Sequence, residues 1–416
     1  MESEVFVGLD IGTTKIACII TELGEDDELK VIGVGVCQSV GMRKGVVVNI
    51  EKTVSSIKKA VEEAELMAGV DVDAVWVGIA GEHIRAINSR GVVAIAQEGR
   101  SDSEITLEDV DRAIGAAKAV AIPGDREILH VIAQEFCVDA QSGIKDPVGM
   151  CGARLETQVH IITGAIASAQ NIMKCVEKAG LKVIDLVLEP LASSYAVLNS
   201  DEKELGVALV DIGGGTTDIA IYLDESIRHS AVVGLGGTNV TRDIAIGLRT
   251  PVEKAEEIKR KHGCAYLPLL RGNETFMVPG VGGHDDRNVT KDSLVGIIEP
   301  RMEEILSLVL REIKRTGYAE MLGAGVVLTG GGSLMEGVKE KAENIFQSSV
   351  KLGVPTRFVG LTEAVKSPIH ATGIGLCMYA VDSNSEARSA KKNAKGENWF
   401  SKVLERWKKT GWWDFF

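Results

Sequence analysis

The run GVALVDIGGGTTD at Gly206–Asp218 repeats, in longer form, the run VFVGLDIGTT at Val5–Thr14. Each reads as an apolar strand that ends in an aspartate, Asp211 or Asp10, and turns through glycines and hydroxyl residues. Gly12, Gly213, Gly214 and Gly215 allow backbone N–H groups to close on phosphate oxygens. Thr13, Thr14 and Thr216 add hydroxyls, and Lys15, just past the first turn, can supplement the positive charge. An aspartate at the strand end can reach a Mg²⁺ ion directly or through water. Two such turns, far apart in one chain, predict two similar halves that grip one nucleotide between them.

The chain has room for this. Its 416 residues exceed the usual size of one domain and suffice for at least two cores. Hydrophobic residues make up 45% and charged residues 25%, a soluble balance. A formal net charge of -13 disfavours nucleic acid as a partner of the body. Seven scattered cysteines lack the close pairs of a disulfide scaffold or thiolate zinc site, and the seven histidines show no metal-ligand spacing. The acidic N-terminus enters a strand directly, so no signal peptide is expected. No stretch is long and apolar enough to span a bilayer, and a reducing cytosol is the expected setting.

Strands alternate with helices along the chain. Val5–Leu9, Ala17–Leu23, Val31–Gln38 and Val75–Ile79 read as strands around a helix at Glu51–Ala68, whose Val54, Ile57, Ala60, Val61, Ala64 and Met67 form an apolar stripe. A block at 83–161 has a different character, with β-like runs at Gly91–Ile95, Glu127–Asp139 and Arg154–Ile162 and a helix at Leu107–Ala119 capped by Thr106. The second half opens with strands Glu204–Ile212 and Asp218–Leu223. Helices are expected at Gly236–Ile246, Val252–Lys261, Ile297–Arg315, Met335–Ile345 and Pro368–Tyr379. This is a duplicated α/β architecture.

Three further groups bear on the nucleotide. Val326–Leu328 runs into Thr329-Gly330-Gly331-Gly332-Ser333, a turn bare enough to admit a base or ribose. In PVEKAEEIKRKHG, Glu256 and Lys259 lie three apart on one helical face, where they suit ribose and base, or equally solvent. Glu189, beside Pro190 at a strand-to-helix junction, suits either a water-orienting carboxylate or a first-turn acid that complements the helix dipole.

The order DIGTT, LEPLAS, DIGGGTTD, AEEIKRK, LTGGG resembles the actin, Hsp70-chaperone and sugar-kinase superfamily. More narrowly, GMRKGVVVNIE at Gly41–Glu51, AGEHI at Ala80–Ile84, Gln134–Glu156 and Val281–Val289 resemble the bacterial FtsA family of cell-division proteins. The resemblance implies a duplicated actin-like (ribonuclease H-like) ATPase fold around a cleft for ATP and Mg²⁺. It divides the chain into a first lobe (1–82, 162–198 and 362–381), an inserted subdomain (83–161), a second lobe (199–241 and 301–361) and that lobe's small subdomain (242–300). A linker at 382–397 and an amphipathic helix at 398–416 follow. It places Asp10 and Asp211 around Mg²⁺, and Gly12, Thr13, Thr14, Lys15, Gly213, Gly214, Gly215 and Thr216 on phosphates. Glu256, Lys259, Gly331, Gly332 and Ser333 fall on adenosine, and Glu189 on the hydrolytic water. It further implies self-association into protofilaments and contact of the 242–300 subdomain with the C-terminal tail of the tubulin-like FtsZ, Arg301 being a candidate carboxylate reader. Later division proteins would also be recruited, at the division site on the cytoplasmic face of the membrane.

The tail gives a separate signal. Asp382–Glu397 lacks large apolar residues and reads as a flexible linker. Beyond it Trp399, Phe400, Val403, Leu404 and Trp407 share one side of a helix, with lysines and arginine around them. Trp412, Trp413, Phe415 and Phe416 follow as an aromatic plug. Such a segment suits an in-plane helix on anionic lipid, or a docked terminal helix. A small-molecule kinase of the same superfamily and a pilus-type inner-membrane scaffold are the competing readings, with ATP turnover expected to be slow or negligible.

Overall fold

The computed structural model describes residues 4–24, 28–95, 104–272, 274–280 and 285–393. The aromatic tail at 398–416 and the last part of the predicted linker lie outside them.

β1 (Glu4–Ile11), β2 (Lys15–Leu23) and β3 (Leu29–Gln38) form an antiparallel meander. A two-residue-per-strand ribbon follows, β4 (Met42–Arg43) and β5 (Val46–Val47). Helix α1 (Ile50–Ala68) starts where the Asn49 side chain accepts from the Lys52 N–H, and stops at Gly69 in the left-handed region. Of its expected stripe, Val54, Ile57, Ala60, Val61 and Ala64 are buried, whereas Met67, in the last turn, is exposed. β6 (Ala74–Ile79) then joins β1 in parallel.

The inserted block forms its own four-stranded sheet in the order β7-β10-β8-β9. Its strands are β7 (Arg85–Ala94), β8 (Arg126–Val138), β9 (Gln141–Ile144) and β10 (Arg154–Ala165), covered by α2 (Leu107–Lys118). Thr106 and Asp109 make the reciprocal capping box at the start of α2. β7 begins at Arg85, not Gly91, because its polar first half faces a partner and not an apolar core. Asn88 Nδ2 donates to the Arg228 carbonyl at 3.0 Å, and His160 bridges Asn88 Oδ1 (2.6 Å) and Ser230 Oγ (2.9 Å).

The chain returns to the first sheet through α3 (Ile166–Lys178), β11 (Lys182–Leu188) and α4 (Glu189–Val197). Helix α5 (Ser200–Leu205) corrects the strand expected from Glu204: Asn199 and Glu202 form a capping box there, and β12 (Val207–Ile212) starts only after Gly206. β13 (Thr217–Leu223) and β14 (Ser226–Val233) complete a second meander. β14 escaped the sequence pattern because Arg228 and Ser230 are polar yet buried against the inserted sheet.

α6 (Gly237–Gly247), α7 (Val252–His262), the hairpin of β15 (Thr275–Val278) with β16 (Arg287–Thr290), and the long α8 (Lys291–Arg315) make the small subdomain and its support. β17 (Val326–Thr329), α9 (Val338–Phe346) and β18 (Val350–Leu352) close the second sheet. α9 starts later than Met335 because Gly337 sits at φ +78°. β19 (Val359–Gly360) and α10 (Thr362–Val365) lead to α11 (Ala371–Asn393).

The two main sheets share one strand order. The first runs β11-β6-β1-β2-β3-β19 and the second β18-β17-β12-β13-β14, each an antiparallel meander extended at its first strand by two parallel strands, with β19 an added parallel strand at the other edge of the first. The duplication read from the two turns is thus a duplication of whole sheets. Ile19, Leu29, Ala196, Leu209, Val327, Ile374 and Cys377 belong to one shared core that joins the lobes. α11 packs on α4 at very close range: a Cβ on Gly375 would lie 1.9 Å from the Ala192 carbonyl oxygen.

α11 also corrects the linker boundary. It runs unbroken to Asn393, through residues expected to be irregular. Residues 383–393 mix Ala, Arg, Lys and Glu with Ser and Asn, and the packed helix that leads into them carries the helical turn onward without a new nucleus.

Candidate functional site

The two glycine turns are built alike. Gly12 N–H donates to the Lys15 carbonyl at 2.9 Å, and Gly213 N–H donates to the Thr216 carbonyl at 2.9 Å. The matching sheets set them face to face across the cleft. A Cβ on Gly214 would lie 2.6 Å from the Thr14 side chain, and one on Gly215 would lie 2.5 Å from Thr13 Oγ1. Only glycine permits this approach. The start of α6 braces the second turn: Gly237 and Thr238 N–H groups donate to the Gly213 and Gly214 carbonyls at 2.9 and 2.8 Å.

Carboxylates collect beneath the turns. Asp10, Asp211 and Asp218 are all buried. Asp10 pairs with Lys15 at 3.2 Å, and Lys15 Nζ also donates to the Ile369 carbonyl at 2.5 Å. Ser193 Oγ donates to Asp211 Oδ2 at 3.0 Å and lies 3.0 Å from Thr372 Oγ1. Thr216 Oγ1 donates to Asp218 Oδ2 at 2.9 Å, while Asp218 Oδ1 is buried without a partner. Burial, with the charge of Asp10, pushes the Asp211 carboxyl up to about 6. Burial and Asp211 push Asp218 up to about 8. Burial and the neighbouring Asp10, Asp218 and Asp211 hold Glu189 well above the carboxylate range. The cluster has more negative charge than Lys15 can offset, and it lies where a divalent cation would relieve it.

Among the described residues no three His, Cys, Asp or Glu side chains form a ready metal cage. Mg²⁺ does not need one, since it usually takes one or two carboxylates and completes its shell with water and phosphate oxygens. The donor set therefore fits Mg²⁺ carried with a nucleotide.

The remaining sequence-marked residues sit around the same cleft. Lys259 Nζ pairs with Glu256 at 2.6 Å and donates to Thr241 Oγ1 at 2.8 Å and to the Gly237 carbonyl at 3.1 Å, which ties α7 to the brace of the second turn. Gly331 faces open space. Ser333 instead donates to the Gly330 carbonyl at 2.7 Å, so its hydroxyl shapes the turn. Gly330 has φ +80°, and a Cβ there would fall 2.2 Å from Asp211 Oδ1.

Sequence reasoning missed Ser193, Thr372 and the partnerless oxygen of Asp218. Asp218 was visible in DIGGGTTD and Ser193 in LEPLASS, but Thr372 carries no local signal. Arg301 proves occupied: it pairs with Asp243 at 2.5 Å and with Glu304. The groove beside it, about 510 Å³, is lined by Gly296, Glu299, Pro300, Glu303, Glu304 and Ser307. Its three carboxylates, Glu299, Glu303 and Glu304, stand beside the Arg301 guanidinium.

The buried acids give a pH prediction. Asp218 is protonated more readily folded than unfolded, so its contribution is complete below its ordinary value of 3.8 and is lost as pH rises through about 8. Asp218→Asn should therefore raise the melting temperature of the nucleotide-free protein by several degrees at pH 8.5 and by little at pH 5. Thermal melts at the two pH values check this. Equal effects would mean that Asp218 ionises freely.

The chain is 48% identical over 411 residues to a Pseudomonas aeruginosa protein described as cell division protein FtsA, and the match covers 98% of this chain and 97% of that one. The chain belongs to the FtsA family of cell-division proteins. The FtsA family profile itself matches residues 208–375, and a profile described as the SHS2 domain inserted in FtsA matches residues 81–163, the four-stranded insertion. Among solved structures, the PilM–PilN type IV pilus biogenesis complex aligns with a TM-score of 0.66 at 16% identity, over 90% of this chain and 98% of that one. MreB 5 of Spiroplasma citri bound to AMPPNP aligns at 0.58 and 14% identity, over 93% and 99%. These likenesses establish an actin-like fold for this FtsA-family chain, with the SHS2 insertion in its first lobe.

Proposed function

We propose that the chain is an ATP-binding actin-like protein that polymerises on the cytoplasmic face of the membrane at the division site. There it tethers the FtsZ ring and recruits later division proteins. The observation that carries the nucleotide reading is the pair of matching glycine turns meeting over a buried, under-compensated carboxylate cluster. Support also comes from the solved relative of this fold that holds AMPPNP.

In this reading Gly12, Thr13, Thr14, Lys15, Gly213, Gly214, Gly215 and Thr216 hold the phosphates. Asp10 and Asp211 serve Mg²⁺, and Ser193 keeps Asp211 oriented through its 3.0 Å hydrogen bond. Glu256, Lys259, Gly331 and Gly332 line the adenosine side, and Ser333 keeps the turn in shape. Glu189 orients water. Bound Mg²⁺–ATP supplies the cationic charge the cluster lacks and a phosphoryl group whose loss would loosen the grip. Lys15, bridging Asp10 and the Ile369 carbonyl, transmits the state of the first turn to the segment that opens α11.

The small subdomain at 242–300 leaves Ile246, Val252 and Met277 exposed, which supports a docking role for it toward FtsZ or a second copy. Membrane residence is assigned to 398–416. Electron microscopy of the protein on vesicles containing anionic lipid, with and without Mg²⁺–ATP, tests the whole reading. Nucleotide-favoured filaments on the lipid are expected; lipid-bound protein that never polymerises would refute the filament role.

A further inference from the structure

The β4–β5 ribbon belongs to neither large sheet, yet its tip sits at the mouth of the cleft. Gly45 N–H donates to Thr13 Oγ1 at 3.1 Å, which fastens the tip to the first glycine turn. On the other side, the Lys44 Cα lies 2.9 Å from the position of a Gly215 Cβ, against the second turn. Lys44 holds a φ of +49°, a left-handed conformation uncommon outside glycine. The tip thus touches both turns at once, one from each lobe.

The Lys44 ammonium rests 3.3 Å from Glu82 Oε1, with side-chain exposures of 40% and 54%. An ion pair this exposed is weak, so exchanging it costs little. Glu82 itself leans on the second lobe, where a Cβ on Gly234 would overlap its carboxylate. The other lysines of the cleft are held more firmly: Lys15 by Asp10 and the Ile369 carbonyl, Lys259 by Glu256, Thr241 and the Gly237 carbonyl.

We infer that Lys44 is a ligand for the terminal phosphate of a bound nucleoside triphosphate, leaving Glu82 to reach it, and that it does so only when the lobes are closed. The ribbon moves with the first lobe and Gly215 with the second, so Lys44 meets the second turn only in the closed arrangement. A diphosphate leaves Lys44 on Glu82. The residue would then make the closed cleft selective for the triphosphate. This inference rests on the nucleotide reading above.

Calorimetric titration of the full chain with Mg²⁺–ADP and Mg²⁺–AMPPNP separates the two. Lys44→Met is expected to weaken AMPPNP about tenfold, the size of one charge-assisted hydrogen bond, and to leave ADP within about twofold. Lys44→Arg should restore most of the AMPPNP affinity. Glu82→Gln, which keeps Lys44 and frees it, should raise the preference for AMPPNP over ADP. Equal weakening of both nucleotides by Lys44→Met, no weakening at all, or a lowered preference in Glu82→Gln would overturn the inference. A wild-type chain that binds neither nucleotide would overturn the nucleotide reading itself, and the role of Lys44 with it.

Discussion

A chain that ends at Glu397 is expected to leave the membrane. Full-length protein should co-sediment with vesicles containing anionic lipid, and the truncated form should remain in the supernatant at background level. The removed stretch carries Trp399, Phe400, Val403, Leu404 and Trp407, with Trp412, Trp413, Phe415 and Phe416 behind them. Each large apolar side chain buried is worth ~1.5–3 kcal/mol before the cost of ordering the helix, and Lys402, Arg406, Lys408 and Lys409 add attraction to anionic headgroups. One such segment holds reversibly, whereas an array of them on a polymer holds by multivalency. The loss should therefore be steepest where the protein polymerises. Truncation after Asp382 is the poorer experiment, because it also cuts α11 and the bond from Asn384 to Glu4. Undiminished sedimentation of the Glu397 form would reassign the aromatic segment to protein docking.

Gly214→Val should force the two turns of the cleft apart. The new Cβ would fall 2.6 Å from Thr14, so either the turns move apart or Thr14 leaves its place. Overpacking of this kind costs ~1–3 kcal/mol, which corresponds to about a 5–150-fold loss of nucleotide affinity. Calorimetric titration with Mg²⁺–AMPPNP measures it. Gly214 and Thr14 lie at the turn tips, outside the core clusters of the lobes and the core that joins them, so the unliganded melting temperature should change little. Wild-type affinity in this variant would show that nucleotide does not bind between the two turns.

The architecture was legible because its signals are local and repeated. The apolar stripe of α1, the Thr106 cap and the strand–turn pair DIGTT and DIGGGTTD each act over a few residues, and periodicity or turn chemistry exposes them. What escaped depends on contacts distant in sequence. β14 hides because Arg228 and Ser230 are buried against Asn88, Gln134 and His160, a polar interface that inverts the usual pattern. Thr372 gains meaning only because α11 returns to Ser193, 179 positions away in the chain. Glu256 and Lys259 were correctly grouped on one face, but that they pair with each other and brace α6 follows from helix packing alone. Arg301 shows the converse: a sequence displays the charge, and the fold supplies Asp243 and Glu304 to neutralise it.

α11 begins at Ala371, next to Thr372 and the Asp211 clasp, and continues without a break to Asn393. At 1.5 Å per residue its 23 residues make a rod about 35 Å long. Gly375 seats that rod on α4 close to its cleft end, at the position of a fulcrum. A pivot of about 5° there would sweep the far end, about 27 Å from Gly375, through about 2.4 Å. By this geometry a sub-ångström adjustment among the serine, threonine and aspartate oxygens at the cleft end would become a displacement of ångströms at the far end of the rod.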